Sequence, residues 1–206
     1  MAFDPARDLL LLIDIQNDFC PGGALAVADG DAVVPIANRL AARFAHVVLT
    51  QDWHPADHFS FASRHDGLEP FGAVEAAYGQ QTLWPDHCVQ GSAGAAFHPD
   101  LDTTRAEMIV RKGYRSDLDS YSAFFENDQM TPTGLGGYCR ERGFGHIVML
   151  GLATDFCVAW SALDARRLGF DVTLVLDGCR AIDLDGSLDK ALSDMRAAGV
   201  TLLQDA

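Results

Sequence analysis

The chain has 206 residues, 49% hydrophobic and 21% charged, which is enough for one well-buried domain and too little for two of ordinary size, so residues 1–206 are read as a single domain. Its net charge of −14, uninterrupted by any basic run, argues against nucleic acid and acidic membrane surfaces as partners and favours a small neutral or cationic ligand. Five cysteines without Cys-x-x-Cys spacing, and an N-terminal apolar run of only Leu9–Ile13, argue against a disulfide framework, a signal peptide or a membrane span and for the cytoplasm.

Taken in chain order, the first apolar run, Leu9–Ile13, reads as a strand that ends at Asp14. A helical pattern over about 31–45 leads to a second run, His46–Thr50, which ends at Asp52 with His54 close behind. Residues 52–100 then lack clear periodicity and are rich in Gly, Pro, His and aromatics; a loop region of that length is usually functional. A third run, Glu107–Val110, leads to Lys112, and a helix is expected over about 133–142, stopped by Gly143. The fourth run, Ile147–Leu150, passes into Gly151-Leu152-Ala153-Thr154-Asp155-Phe156-Cys157-Val158 and a helix over about 155–169. Val172–Leu176, a helix over about 187–198 and Val200–Leu202 complete the series. Strands alternating with helices in this rhythm build a parallel sheet covered by helices on both faces.

Open α/β sheets bind ligands outside the carboxyl ends of their strands. Asp14, Asp52 with His54, Lys112 and Cys157 all follow strand ends, so an acid, a base, a nucleophile and metal-ligand types should converge on one rim. Cys157 in the first turn of a helix would meet unpaired N–H groups and the positive dipole end, which favour the thiolate. The Asp52-Trp53-His54-Pro55-Ala56-Asp57-His58-Phe59-Ser60 segment offers carboxylate and imidazole donors close together and His87 adds a more distant imidazole; an Asp/His/His set of this kind suits zinc, iron or manganese. Cys20, Cys88, Cys139 and Cys179 have no acid–base partners in sequence and read as structural thiols.

The motifs Asp14-Ile15-Gln16-Asn17-Asp18-Phe19, Asp52-Trp53-His54 with Asp57-His58-Phe59, Trp84-Pro85-Asp86-His87-Cys88-Val89-Gln90-Gly91, Lys112-Gly113 and Gly151 to Val158 occur in that order over residues 8–202. Together they resemble the nicotinamidases and pyrazinamidases of the isochorismatase-like cysteine hydrolase superfamily. The resemblance implies a doubly wound six-stranded parallel sheet in three αβα layers, a triad of Asp14, Lys112 and Cys157, and one divalent metal, zinc foremost, on Asp52, His54 and His87. It further implies a cis peptide at Leu152–Ala153, an oxyanion site at the N–H groups of Ala153 and Cys157, and a ring pocket lined by Phe19, Trp84 and Tyr121. The implied activity is hydrolysis of nicotinamide, and of pyrazinamide, to the acid and ammonia through a cysteine thioester, in NAD salvage, by a monomer or homo-oligomer. Two other readings compete: a hydrolase of ureido, carbamoyl or enol-ether substrates on the same scaffold, and a non-enzymatic thiol sensor using Cys157.

Overall fold

The computed structural model describes residues 3–205. Its elements are, in chain order, β1 (Leu9–Ile13), α1 (Val34–Ala41), β2 (His46–Asp52), β3 (Ala73–Ala76), β4 (Gly79–Thr82), β5 (Met108–Lys112), α2 (Leu135–Arg142), β6 (His146–Leu152), α3 (Ala159–Arg167), β7 (Asp171–Arg180), α4 (Ser187–Ala197) and β8 (Thr201–Leu203). Six strands form one parallel sheet in the order β5-β2-β1-β6-β7-β8. Helices cover both faces, so the sheet is doubly wound as expected. The Leu-Leu-Leu-Leu-Ile run of β1 is buried at every position, as a strand covered on both faces must be. Among the described residues no helix is long and apolar enough to cross a membrane.

Chain order reverses around β1, which has β2 on one side and β6 on the other. This is the switch point at which open α/β sheets leave a crevice. Register then decides which side chains meet there. Asp52 pairs with Lys112 in the parallel β2–β5 ladder, which turns the two last residues of these strands to the same face, and Ile13 pairs with Gly151.

Three elements differ from the sequence reading. The helix expected over 31–45 is a 3₁₀ turn, Gly30–Val33, followed by the eight residues of α1, with Pro35 in the first α turn where its missing N–H costs nothing. The helix expected from 155 starts with a π turn, Thr154–Val158, before α3. The 52–100 region contains a two-stranded antiparallel hairpin, β3–β4, outside the main sheet. Its turn, Ala77-Tyr78, lacks the Asn-Gly or Asp-Gly pair that marks a tight hairpin in sequence, and its strands are short and polar.

The closest backbone approach lies beside the switch point. Gly151 has φ +136°, and a Cβ there would stand 2.1 Å from the Ile13 carbonyl oxygen and 2.7 Å from its nitrogen. Both clashing atoms belong to the central strand and cannot move aside. Gly151→Ala should therefore lower unfolding free energy by about 2–4 kcal/mol in urea denaturation; a change within 0.5 kcal/mol, roughly what a surface site tolerates, would show that β1 and β6 can separate here.

Candidate active site

Lys112 holds the charged centre together. Its ammonium is fully buried, lies 2.8 Å from Asp14 Oδ2, donates to Asp52 Oδ1 and to the Ser120 carbonyl at 3.2 Å, and stands 3.7 Å from Cys157 Sγ. Asp14 follows β1 in a left-handed conformation, φ 50°, which turns its carboxylate back over the strand ends. There the Thr50 hydroxyl donates to Oδ1 at 2.6 Å and accepts the Asp14 N–H at 3.1 Å. Ligand atoms of Asp14, Asp52 and Cys157 all lie within 4.8 Å of one another. The nucleophile, acid and base candidates thus meet at the rim where their strand-end positions placed them.

Burial decides the charge states. Desolvation raises Asp14 to a pKa of about 6, against the pull of Lys112 and with help from the Asp52 charge. Asp52 is also raised by burial, but Lys112 and the His54 and His87 imidazoles outweigh that and hold it below the usual carboxylate range. Burial would lower Lys112, yet the Asp14 and Asp52 charges keep it well above its ordinary value. For Cys157 burial pushes the thiol well up; Lys112 opposes this, and the Asp14 and Asp52 charges reinforce it. Desolvation beside two carboxylates outweighs the Lys112 charge, so Cys157 is held toward the protonated thiol. The other four cysteines are buried and unpaired, and burial lifts Cys20 to about 11, Cys139 and Cys179 to about 12, and Cys88 well above its ordinary value.

Next to this centre, Asp52, His54 and His87 offer ligand atoms within 4.8 Å of one another, all buried. The second ring nitrogens show why they point inward. His54 Nδ1–H donates to the Gly113 carbonyl at 3.0 Å and His87 Nδ1–H to the Pro85 carbonyl at 2.8 Å, which leaves both Nε2 lone pairs free toward Asp52 Oδ2, 3.6 and 3.8 Å away. Such backbone partners fix the tautomer of a metal-ligating histidine, so the residues fit a divalent cation. Gly113, at φ +62°, is required for this approach, since a Cβ would come within 2.2 Å of His54 Cε1. His58 falls in a neighbouring group with His54 and Asp119 rather than in the first; its Nδ1 meets Ser60 Oγ at 2.7 Å, and its Nε2 is buried without a partner.

A narrow cavity opens between the two groups, lined by Asp52, His54, His87, Ala153 and Cys157 together with Phe19, Trp84, Tyr121 and Phe156. Phe19 meets His87 edge-on with ring centroids 5.6 Å apart, Trp84 stands over Phe156 at 4.9 Å, and Trp84 Nε1–H donates to the Tyr121 hydroxyl at 3.1 Å. All three expected ring-contacting aromatics therefore line one space with Cys157. The Leu152–Ala153 peptide bond is cis, as the resemblance implies. Leu25, Asp119 and Ile182 also line the cavity and were not foreseen. Asp119 sits in the aperiodic 113–131 segment, where its Oδ2 accepts Gln81 Nε2–H at 2.7 Å, and no local pattern announces it.

With the geometry in place, comparison with known proteins is specific. The Isochorismatase domain matches residues 8–206. The nicotinamidase of Acinetobacter baylyi is 51% identical over 191 residues, covering 93% of this chain and 89% of that one. A structure titled Acinetobacter baumanii nicotinamidase pyrazinamidease superposes with a TM-score of 0.96 at 51% identity, covering 98% of each chain. The pyrazinamidase of Pyrococcus horikoshii in complex with zinc gives a TM-score of 0.79 at 34% identity, over 96% of this chain and 99% of that one.

Removing the shared cation tests the electrostatic account. Lys112→Met leaves Asp14 and Asp52 buried side by side without compensation, and should destabilise the protein by about 3–5 kcal/mol at pH 7 in urea titration. Without Lys112 the folded-state carboxyl pKa values rise, so the deficit must shrink as pH falls and the carboxyls take up protons. A deficit independent of pH would overturn this account.

Proposed function

This chain belongs to the isochorismatase family, and from that premise we propose that it hydrolyses nicotinamide to nicotinate and ammonia, with Cys157 as nucleophile. One observation carries the reading: Cys157, the buried Asp14–Lys112 pair and the Asp52/His54/His87 donor set border a single cavity walled by aromatic rings. A space walled by Phe19, Trp84, Tyr121 and Phe156 suits a six-membered heteroaromatic ring, so pyrazinamide is a second substrate in the same reading, and the place of the reaction is the salvage of pyridine rings for NAD.

The chemistry follows from the charge states. Cys157 rests as a thiol, so attack on the carboxamide carbon requires its proton to leave as the C–S bond forms. Asp14, whose pKa of about 6 leaves it ionised at neutral pH and still basic, is the acceptor. Lys112 keeps its proton throughout and offsets the negative charge that passes between Cys157 and Asp14. The oxyanion that develops on the carboxamide oxygen is assigned to the N–H groups of Ala153 and Cys157, a contribution of about 3–4 kcal/mol per donor. The C–N bond breaks as Asp14 returns the proton to the leaving amine, and ammonia departs. Asp14, ionised again, then removes a proton from water as it attacks the thioester; the C–S bond breaks, Cys157 regains a proton and nicotinate leaves.

Asp52, His54 and His87 are assigned to one divalent metal ion, zinc in this reading. When bound, it supplies a Lewis-acidic contact for the pyridine nitrogen that orients the ring. The chain's own part is to fix Nε2 of both imidazoles through Gly113 and Pro85 and to stack Phe19, Trp84 and Tyr121 against the ring. Each aromatic contact is worth about 0.5–1.5 kcal/mol beyond area burial.

Cys157→Ala should reduce ammonia release from nicotinamide by about a thousandfold or more while leaving calorimetric nicotinamide affinity within a few-fold; substantial turnover by this variant would rule out the covalent route. His54→Ala should lose bound metal, read by elemental analysis, and raise KM by about 10–100-fold. Unchanged metal content together with unchanged KM would remove the donor set from the reaction.

A further inference from the structure

The segment that delivers Cys157 contains an acid for which the chemistry above has no use. Asp155 stands two residues before the nucleophile, in the π turn between β6 and α3, and is 6% exposed. Its carboxylate faces away from the turn that carries it. Oδ1 accepts the Ile182 N–H at 3.0 Å, while Oδ2 accepts the Asp183 N–H at 2.7 Å and the Ser187 hydroxyl at 2.5 Å. Two of the three bonds therefore cross to the connection between β7 and α4, and the third to the first residue of α4.

That connection has an irregular backbone. Asp183 and Asp185 are left-handed at φ 55° and 51°, and Gly186 follows at φ 82°. Non-glycine residues adopt this region at a cost, and two within three residues need an outside anchor to persist. Hydrogen bonds to an ionised carboxylate are roughly twice as strong as neutral ones, so Asp155 is suited to be that anchor.

The anchor acts on the substrate cavity. Ile182, whose N–H bonds Asp155, lines it, and so does Phe156, the next residue along the turn. Most of the lining is almost fully buried; Ile182, Phe156 and Tyr121 are its partly exposed members and form its opening. Phe156 packs edge-on against Trp84 at 4.9 Å and Tyr121 at 5.7 Å. One carboxylate thus joins the turn that carries Cys157 to the wall opposite it, across the cavity opening.

We infer that Asp155 is a positioning residue for the substrate ring: it holds Ile182 and Phe156 at the cavity opening and so sets ring affinity, taking no part in proton transfer. The inference rests on the amide hydrolysis proposed above. Its signature is a split between KM and kcat, because the ring wall shifts while Cys157, held by its own turn and Lys112, stays in place.

The test is steady-state nicotinamide kinetics on the metal-loaded wild type, Asp155→Ala, Ser187→Ala, Ile182→Ala and the Asp155→Ala/Ile182→Ala double variant, with the iodoacetamide inactivation rate of Cys157 read on each. Asp155→Ala should raise KM about tenfold with kcat within about threefold, and Ser187→Ala, which removes one bond of three, should raise KM about two- to threefold. The double variant should have the KM of Asp155→Ala within about twofold, since the first change already displaces the wall that the second deletes. Inactivation rates should match wild type. Unchanged KM in Asp155→Ala or Ser187→Ala, a loss confined to kcat, or fully additive KM effects would each overturn the role. If Asp155→Ala does not fold, Ser187→Ala decides alone. A wild type that releases no ammonia overturns the assigned reaction and this role with it, whereas an active wild type with unmoved KM in the variants overturns the role only.

Discussion

One ammonium between two carboxylates is the constraint on which the rest of the site depends. Asp14, Asp52 and Lys112 are all withdrawn from water, and isolated charges of that kind cost several kcal/mol each to bury. They are tolerable only as a set, with Lys112 2.8 Å from one carboxylate and bonded to the other. The set still carries one excess negative charge. Burial, reinforced by that excess, is why the adjacent thiol is held toward its protonated form and why Asp14 is raised to about 6.

The same ammonium couples two functions that the chain supplies from different strands. It touches Asp14, the group proposed for proton transfer, after β1, and Asp52, a member of the donor set, after β2. Asp52 is divided between these roles, with Oδ1 on Lys112 and Oδ2 toward His54 and His87. The imidazoles are in turn aimed by backbone carbonyls, and the carbonyl that aims His54 belongs to Gly113, the residue after Lys112. A strand end, a glycine and a loop carbonyl thus position three side chains at once, which ties the geometry of the donor set to that of the nucleophile.

Much of this was legible in the chain. All six main-sheet strands overlap the apolar runs of the sequence, most fully the inner ones, because strands buried on both faces need unbroken hydrophobic sequence. The residues after those runs, Asp14, Asp52, Lys112 and Cys157, gather at one rim because parallel strands share a carboxyl end. The β3–β4 hairpin was not legible, since its strands are short, polar and joined by a turn without a turn signature. Nor were Asp119 and Ile182, which reach the cavity from irregular segments where no period links neighbours in sequence to neighbours in space. The position of Cys157 in a helical turn was visible because it is local, whereas the desolvation that raises its pKa depends on everything packed around the sulfur.

What the sequence determined by itself is the layer architecture and the identity of the groups at the rim, because hydrophobic period and strand-end position are local properties of the chain. What only the tertiary structure decided is how those groups are charged and aimed. The Asp52–Lys112 register, the Thr50 bond to Asp14, the Nδ1 bonds of His54 and His87 and the grip of Asp155 on the 181–187 segment all join residues 27 or more positions apart or hang on a single backbone carbonyl. Such contacts, and the burial that shifts every pKa at the centre, exist only once the sheet has brought distant segments within hydrogen-bond reach.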